Sequence, residues 1–456
     1  MSTVEYFPGI GRVPHAGEPS ATDLRFCHYD PDRVVAGRAM REHLRFAVCW
    51  WHSFSWHGSD VFGAPTRQPT WVVAGDNPLQ RAERQAAAAC VELERRLPAL
   101  TQITGNRAMP GFTAPKLLWL AAHEPQVFAA CRRVLLPKDY IRLLMTGETA
   151  SDLSDSAGTL WLDVGARCWS DEVLAATGQL RPAVAARWGL PDGVLVAAGA
   201  GDNAAGAVGM GLVAQGAAMV SLGTSGVTFV ASERFAPNAA RGVHTFCHAV
   251  PGLWHQMAVH LSAAHCLAWL GRILGAAEPV LLDELDDRAV APQGVFFLPY
   301  LSGERTPHND PGAVAMFHGL TASMGRRELV QAVLEGVGFA FRDGIDAIRA
   351  GGTHVARASL VGGGARSRYW AQLMSDMLEI PLDLRAGGEV GPAVGAARLA
   401  RLATTGEGVA DVCFPPPLLE TLAPRTARAA EYRATHGRFG EFYQRLRSPG
   451  GQANRL

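Results

Sequence analysis

The hydrophobic pattern of the chain alternates between short apolar runs and longer segments with apolar residues at helical spacing. The apolar runs predict strands at residues 193–198, 218–222, 227–231, 295–298 and 359–361. The helical spacing predicts helices at residues 114–122, 138–146, 326–350, 392–402 and 431–446. Since strands alternate with helices over most of the chain, the pattern indicates an α/β fold.

The first 90 residues have a different character. They hold four tryptophans, and four histidines fall between His28 and His57. Residues 44–56 (LRFAVCWWHSFSW) predict a buried strand that runs into a loop, and residues 78–96 predict a helix that Pro98 ends. This contrast predicts a boundary near residue 90.

Composition excludes several classes of protein. A chain of 456 residues allows two or three domains, and 42 basic residues balance 42 acidic ones, so nothing points to nucleic acid or an anionic membrane as a partner. The charge-free stretch 203–232 is broken by glycines and predicts a buried core, not a membrane span. Eight cysteines without a C-x-x-C pair indicate reduced thiols and a cytoplasmic protein. Lys116 and Lys138 are the two lysines, which we attribute to composition.

Three glycine-rich turns that follow apolar runs carry the candidate chemistry, because such turns present backbone N–H groups to phosphate. No G-x-x-x-x-G-K-[ST] string occurs, so this is not a P-loop protein. In the first turn (GAGDN), Asp202 is placed to take a proton from a substrate hydroxyl, or equally to cap the next helix.

The other two turns suit a nucleotide. Residues 221–226 (SLGTSG) lie between two predicted strands, where their hydroxyl and N–H groups could hold a γ-phosphate, although an ordinary hairpin remains the alternative. Residues 362–364 are three glycines followed by Arg366 and Trp370, and glycine is needed where the backbone closely approaches adenine or phosphate.

Motifs spread from about residue 90 to the C-terminal tail resemble the FGGY family of carbohydrate kinases and, within it, the xylulokinases. Two segments are similar to the family's signature regions: GFTAPKLLWL and AMFHGLTASMGRRELVQAVLE. Other similar strings are LLPKDYIRLLMTGE, SDLSDSAGTLWLDV, AGDNAAGAVG, SLGTSG, FLPYLSGERTPHND, VGGGARSRYW and GPAVGAA.

The resemblance implies two ribonuclease-H-like domains, related to actin and hexokinase, with the active site in the cleft. It implies transfer of the ATP γ-phosphate to D-xylulose with Mg²⁺, giving D-xylulose 5-phosphate. The expected domains are a truncated sugar-side domain at 90–213 and a nucleotide-side domain at 214–430, with a helix and tail at 431–456. Expected partners are the sugar and ATP, without nucleic acid or membrane, and a homodimer is the assembly we consider.

The resemblance also implies roles for individual residues. Asp202 matches the catalytic base, and Asn203 would lie against the sugar. Thr224, between Gly223 and Ser225, matches the phosphate-contacting position. Gly363, Gly364 and Ala365 match the adenosine-binding turn. No metal-ligating residue is assigned.

The chain departs from the family pattern. It has G-A-G-D-N where the family has G-G-G-D-N, and a loop near residues 177–179 is missing. More seriously, the family's opening hairpin D-x-G-T-[ST] and its ketose-gripping Q-M-H-G motif do not occur in the sequence. Residues 1–89 instead resemble the start of a xylose isomerase, a TIM-barrel family, but without its metal-binding carboxylates or catalytic histidine. We therefore expect impaired kinase activity, the alternative being a non-catalytic nucleotide-binding remnant of a fused isomerase–kinase locus.

Overall fold

The computed structural model describes residues 86–123, 150–170, 199–285, 294–386 and 392–446, with shorter stretches elsewhere. The isomerase-like segment lies outside the described residues apart from six short backbone strands, as do most of the predicted helix 138–146 and the loop near residues 177–179. By its internal contacts the chain divides into two units. The first unit comprises residues 1–209, 246–251 and 391–413, and the second comprises 210–245, 252–390 and 414–456.

The elements are numbered in chain order. The strands are β1 Glu5–Phe7, β2 Gly11–Val13, β3 Arg25–His28, β4 Asp30–Ala36, β5 Ala47–Val48, β6 Thr70–Val72, β7 Arg133–Leu135, β8 Leu162–Asp163, β9 Cys168–Trp169, β10 Val196–Ala197, β11 Ala218–Leu222, β12 Gly226–Ser232, β13 His244–Cys247, β14 Trp254–His260, β15 Phe296–Leu298, β16 Met316–His318, β17 Ala358–Val361, β18 Leu382–Arg385 and β19 Leu418–Leu422. The helices are α1 Ala87–Arg96, α2 Leu100–Thr104, α3 Thr113–His123, α4 Leu153–Ala157, α5 Asp202–Gly209, α6 Ala264–Leu274, α7 Glu278–Asp283, α8 Arg326–Ala350, α9 Arg368–Leu378, α10 Pro392–Thr405, α11 Val409–Val412 and α12 Thr426–Leu446.

In the first unit, α5 packs directly on α10. A Cβ atom on Gly395 of α10 would lie 1.7 Å from the carbonyl oxygen of Ala205, so only glycine permits this approach. The guanidinium of Arg398 donates to the carbonyls of Val208 and Gly209 at 2.9 and 2.8 Å, which satisfies the C-terminal end of α5. The GPAVGAA motif thus supports the helix that begins at Asp202.

The second unit is built on a seven-stranded sheet in the order β13-β14-β12-β11-β17-β18-β19. Strands β11, β17 and β18 pair in parallel, while β12 pairs antiparallel with both β11 and β14. The long helix α8 crosses this unit with almost every apolar residue buried, including Val333, Val337 and Phe341. The sheet and α8 together bury the main hydrophobic core.

Most of the predicted elements that fall on described residues are confirmed. Strand 218–222 and helix 326–350 are found with the predicted bounds. Of the predicted strand 193–198, the described part is Val196–Ala197. Within the described part of the chain, no helix has the length and apolar character needed to span a membrane.

Candidate active site

The predicted phosphate hairpin and adenosine turn lie together in the second unit, on one cavity of about 1020 Å³. Gly223 and Thr224 of the hairpin and Gly363 and Gly364 of the turn line this cavity. The start of α6, helix α7 and residues 366–370, which lead into α9, line the rest of it. The volume is at the upper end of the usual range for small-molecule sites and suits a ligand of nucleotide size.

The turn of the hairpin is held in place by hydrogen bonds from the start of helix α6. Strands β11 and β12 pair with Leu222 opposite Gly226, which leaves residues 223–225 as the turn. The carbonyls of Gly223 and Thr224 accept N–H groups from Ala264 and Ala263 at 2.8 and 2.9 Å, at the start of α6. The turn is therefore tied to a helix N-terminus, whose partial positive charge favours a phosphate.

The glycine turn at the end of β17 combines a positive φ with close packing. Gly362 has φ +94°, and a Cβ there would lie 2.8 Å from the backbone of Leu222. A Cβ on Gly364 would lie 2.5 Å from the Leu222 side chain. At Gly363 a Cβ would meet nothing within 4 Å, so the space beside it is open to a ligand.

Two of the residues predicted for the nucleotide do not line the cavity. Ser225 is exposed on the hairpin, next to Thr224, and Ala365 packs against the core behind its turn. Sequence reasoning missed the wall formed by α6 and α7, which brings His265, Glu278 and Asp283 to the cavity with the apolar Leu267 and Leu282. These residues lie at 265–283, far in sequence from the turn at Gly363, and they reach the cavity only through the fold.

In the first unit, Asp202 begins α5 directly after the glycine-rich loop. Gly199 in this loop has φ +74°, which favours glycine. One Asp202 oxygen, Oδ1, accepts the backbone N–H of Asn203 at 2.7 Å and its side-chain amide at 2.9 Å. Asp202 and Asn203, the two residues predicted for the sugar site, are therefore hydrogen-bonded to each other.

A buried lysine organises the carboxylates beside this loop. The Nζ atom of Lys138 lies 2.6 Å from Asp139, 2.5 Å from Asp152 and 3.4 Å from Asp155, and its side chain is fully buried. Burial lowers the pKa of Lys138, but the three carboxylates outweigh it and hold the pKa well above its usual value. The lysine attributed above to composition is thus the counter-ion of an acidic cluster. The available signal was that Lys138 is one of two lysines in an arginine-rich chain.

Within this cluster, Asp155 is a carboxylate whose pKa is affected by the charge of Asp202. Burial is the main cause that raises the pKa of Asp155 to about 7; Lys138 opposes the rise, and the charges of Asp152, Asp139 and Asp202 contribute to it. The Asp155 backbone also packs on the loop, since a Cβ on Gly201 would lie 3.6 Å from it. The loop therefore holds the Asp202 carboxylate next to the acidic cluster.

Among the residues described, no three His, Cys, Asp or Glu side chains are grouped to hold a metal ion. Mg²⁺ in phosphoryl-transfer sites commonly relies on substrate phosphates, water and one or two carboxylates. Glu278 and Asp283 bring carboxylates of this kind to the cavity of the second unit, so the residues present fit a magnesium ion carried by a nucleotide.

Comparison with protein families matches both parts of the chain. Residues 76–180 match the N-terminal domain of the FGGY family of carbohydrate kinases, and residues 218–404 match its C-terminal domain. The chain is 49% identical over 381 residues to a xylulose kinase of Escherichia coli strain K12, covering 79% of this chain and 78% of the relative. It is also 49% identical over 382 residues to a xylulose kinase of Klebsiella pneumoniae, covering 80% and 79%.

Among solved structures, the crystal structure of a "xyloylose kinase" from Brucella ovis is 48% identical with a TM-score of 0.74, covering 80% of this chain and 78% of that chain. The likeness confirms an α/β sugar kinase fold of the FGGY and actin-like type. The chain therefore belongs to the FGGY family of carbohydrate kinases and is an ATP-dependent sugar kinase.

Proposed function

We propose that this kinase transfers the γ-phosphate of ATP to D-xylulose and gives D-xylulose 5-phosphate. The observation that carries the proposal is the 49% identity to the xylulose kinase of E. coli over most of both chains. The glycine-rich loop that positions Asp202, and the nucleotide-sized cavity of the second unit, supply the parts that this reaction needs.

In this proposal the second unit holds the nucleotide. The backbone of the turn at Gly363 and Gly364 carries the adenosine, because glycine leaves the backbone accessible there. The hairpin at Gly223, Thr224 and Ser225 holds the γ-phosphate with its hydroxyl and N–H groups. Mg²⁺, when bound with ATP, neutralises charge on the phosphate oxygens.

Asp202 is the proposed base. Its carboxylate accepts the proton of the sugar hydroxyl as that oxygen attacks the γ-phosphorus, and Asn203 orients both the carboxylate and the sugar. Phosphoryl transfer depends mainly on positioning and charge stabilisation, so the rigidity of the loop matters as much as the carboxylate itself.

We further propose that the reaction is slow in this chain. The sequence contains neither the D-x-G-T-[ST] hairpin nor the Q-M-H-G motif. Removing one preorganised donor typically costs about 10²–10³ in rate, and a whole hairpin supplies several donors. The isomerase-like residues 1–89 would occupy the place of that segment and contribute no chemistry of their own.

The test is transfer of labelled phosphate from [γ-³²P]ATP with Mg²⁺, at a high concentration of the full chain. D-Xylulose, D-ribulose, glycerol and D-gluconate are compared as acceptors. We expect labelled product with D-xylulose, formed at least about 10²-fold more slowly than by the E. coli enzyme. Faster transfer to another acceptor would contradict the substrate. No transfer to any acceptor, with ADP still bound, would favour the non-catalytic nucleotide-binding alternative.

A further inference from the structure

An ion pair followed by two hydrogen bonds connects Lys138 to the loop before Asp202. The ammonium group of Lys138 pairs with Oδ2 of Asp152 at 2.5 Å. The other oxygen of Asp152, Oδ1, accepts the hydroxyl proton of Ser154. The Ser154 hydroxyl oxygen in turn accepts the N–H of Gly201 at 3.0 Å, one residue before Asp202.

Further hydrogen bonds fix Asp152, and burial restricts Ser154 and Lys138. Asp152 Oδ1 also accepts the N–H groups of Ser154 and Asp155 at 2.9 and 3.0 Å, which caps α4 and fixes the carboxylate. Ser154 is 4% exposed, so its hydroxyl has little access to water as an alternative partner. Lys138 is fully buried, and in the described part of the chain the carboxylates of the cluster compensate its charge.

The direction of the bonds matters. Because the Ser154 hydroxyl donates to a carboxylate, its oxygen is a stronger acceptor for the Gly201 N–H than an isolated hydroxyl would be. The carbonyl of Gly201 accepts the N–H of Ala205 at 2.8 Å, inside the first turn of α5. Gly201 therefore connects the acidic cluster, through its N–H, to the helix that carries Asp202, through its carbonyl.

We propose that Ser154 is a positioning residue for phosphoryl transfer: with Asp152 and Lys138 behind it, it fixes the Gly201 peptide and so the orientation of the Asp202 carboxylate. This inference rests on the proposed role of Asp202 as base. It assigns a function to the SDLSDSAG segment that the cavity of the second unit and the glycine turns do not explain, since Asp152 and Ser154 of this segment act on the site through the Gly201 amide.

The first test is amide hydrogen exchange of the full chain without substrate, followed by mass spectrometry of peptides covering residues 199–205. Ser154→Ala removes the acceptor, and we expect exchange of the Gly201 amide to quicken about fivefold to tenfold, the value of one hydrogen bond. Ser154→Thr keeps the hydroxyl and should restore most of the protection. Unchanged exchange in Ser154→Ala would overturn the proposed link, and this result does not depend on catalytic turnover.

The second test measures single-turnover phosphoryl transfer to D-xylulose in Ser154→Ala, in Asp202→Asn and in the double variant. A residue that acts through Asp202 should slow transfer about fivefold to tenfold when Asp202 is present and have no further effect in the Asp202→Asn background. The KM for ATP should stay unchanged. Additive losses, or a loss confined to the KM for ATP, would overturn the proposal.

A matched control separates positioning from general stability. Ser375 is a buried serine of the second unit, and its hydroxyl donates to the carbonyls of Ile380 and Leu422 at 2.9 and 2.8 Å. Ser375→Ala should lower the melting temperature without changing the transfer rate of the folded protein. If Asp202→Asn alone leaves the rate unchanged, the proposed base is wrong. If Asp202→Asn slows transfer but Ser154→Ala does not, the positioning role alone is wrong.

Discussion

At the scale of single residues, Gly363 is the position at which nucleotide binding can be blocked without disturbing the fold. A side chain there would meet no protein atom within 4 Å and would project into the space beside the turn. We predict that Gly363→Asp weakens ADP binding at least about tenfold, because its carboxylate takes up ligand space and repels phosphate. Calorimetric titration with ADP and Mg²⁺ measures this. Gly440→Asp makes the same charge change away from the cavity and should bind ADP normally; equal affinity in both variants would contradict the assignment.

Glu335 gives a prediction about pH. Burial raises its pKa from 4.5 to about 7, although its Oε1 accepts hydrogen bonds from Gln331 and Tyr432 at 2.8 and 3.1 Å. Between these two pH values the folded state keeps a proton that the unfolded state has released, so stability falls as pH rises through this window. We predict that Glu335→Gln matches the natural chain near pH 4.5 and melts several degrees higher at pH 8.

Glu328 serves as the control for this prediction, because its pKa is shifted in the opposite direction. Glu328 accepts the N–H of Gly325 at 2.8 Å at the start of α8, and this bond lowers the pKa of Glu328. Its stabilisation is present above the unfolded pKa and is lost as pH falls, so Glu328→Gln should melt lower than the natural chain at pH 8. Thermal unfolding of both variants and of the natural chain, near pH 4.5 and at pH 8, tests this prediction. A Glu335→Gln variant that is less stable than the natural chain at pH 8 would show that the buried carboxylate does not destabilise the folded protein.

The candidate residues differ in how far the sequence could predict them. Asp202, Gly223 and Gly363 lie in continuous sequence motifs, so the residues next to them in the sequence were enough to predict them. The contact of Ser154 with Gly201 spans 47 residues, and its meaning depends on Lys138, which comes from a third segment. Pairings of this kind follow from tertiary packing, which local patterns do not encode.

At the scale of elements, the contact between α5 and α10 is the tightest that supports the proposed base. We predict that Gly395→Ala lowers the melting temperature by several degrees, because its Cβ would lie 1.7 Å from the Ala205 carbonyl oxygen and force the helices apart. Gly206 lies in α5 itself, where a Cβ would meet nothing within 4 Å. Gly206→Ala should stabilise by up to about 1 kcal/mol through helix propensity. A Gly395→Ala variant as stable as Gly206→Ala would contradict this packing.

Helix α8 and strand β11 could be predicted with their bounds because they are buried and strongly patterned. Strand β14 gave no clear pattern, since His255, Gln256 and His260 are polar yet buried within it. Helix α7 is only six residues long, too short for a periodic signal, although it forms a wall of the nucleotide cavity. The sequence thus failed to predict β14, whose polar residues are buried by tertiary contacts, and α7, which is too short to show a helical period.

At the scale of the whole molecule, the protein has a second unit with both turns proposed for the nucleotide, a first unit that supports the Asp202 loop, and a sequence without the family's phosphate hairpin. The matches to both FGGY domains establish the kinase family, whereas the low activity and the origin of residues 1–89 remain predictions. If the hairpin is what limits the chain, supplying it should recover catalysis with residues 90–456 unchanged apart from the loop near residue 178.

The most direct measurement is therefore xylulose-dependent ADP release by a chimera. Residues 1–89 are replaced with the N-terminal segment of the E. coli xylulose kinase, and the loop near residue 178 is refilled if needed. We predict that the chimera exceeds the natural chain by at least about 10²–10³ in rate, and that Asp202→Asn in the chimera removes about 10²–10⁴ of this activity. A natural chain as active as the chimera, or a chimera indifferent to Asp202→Asn, would contradict the account.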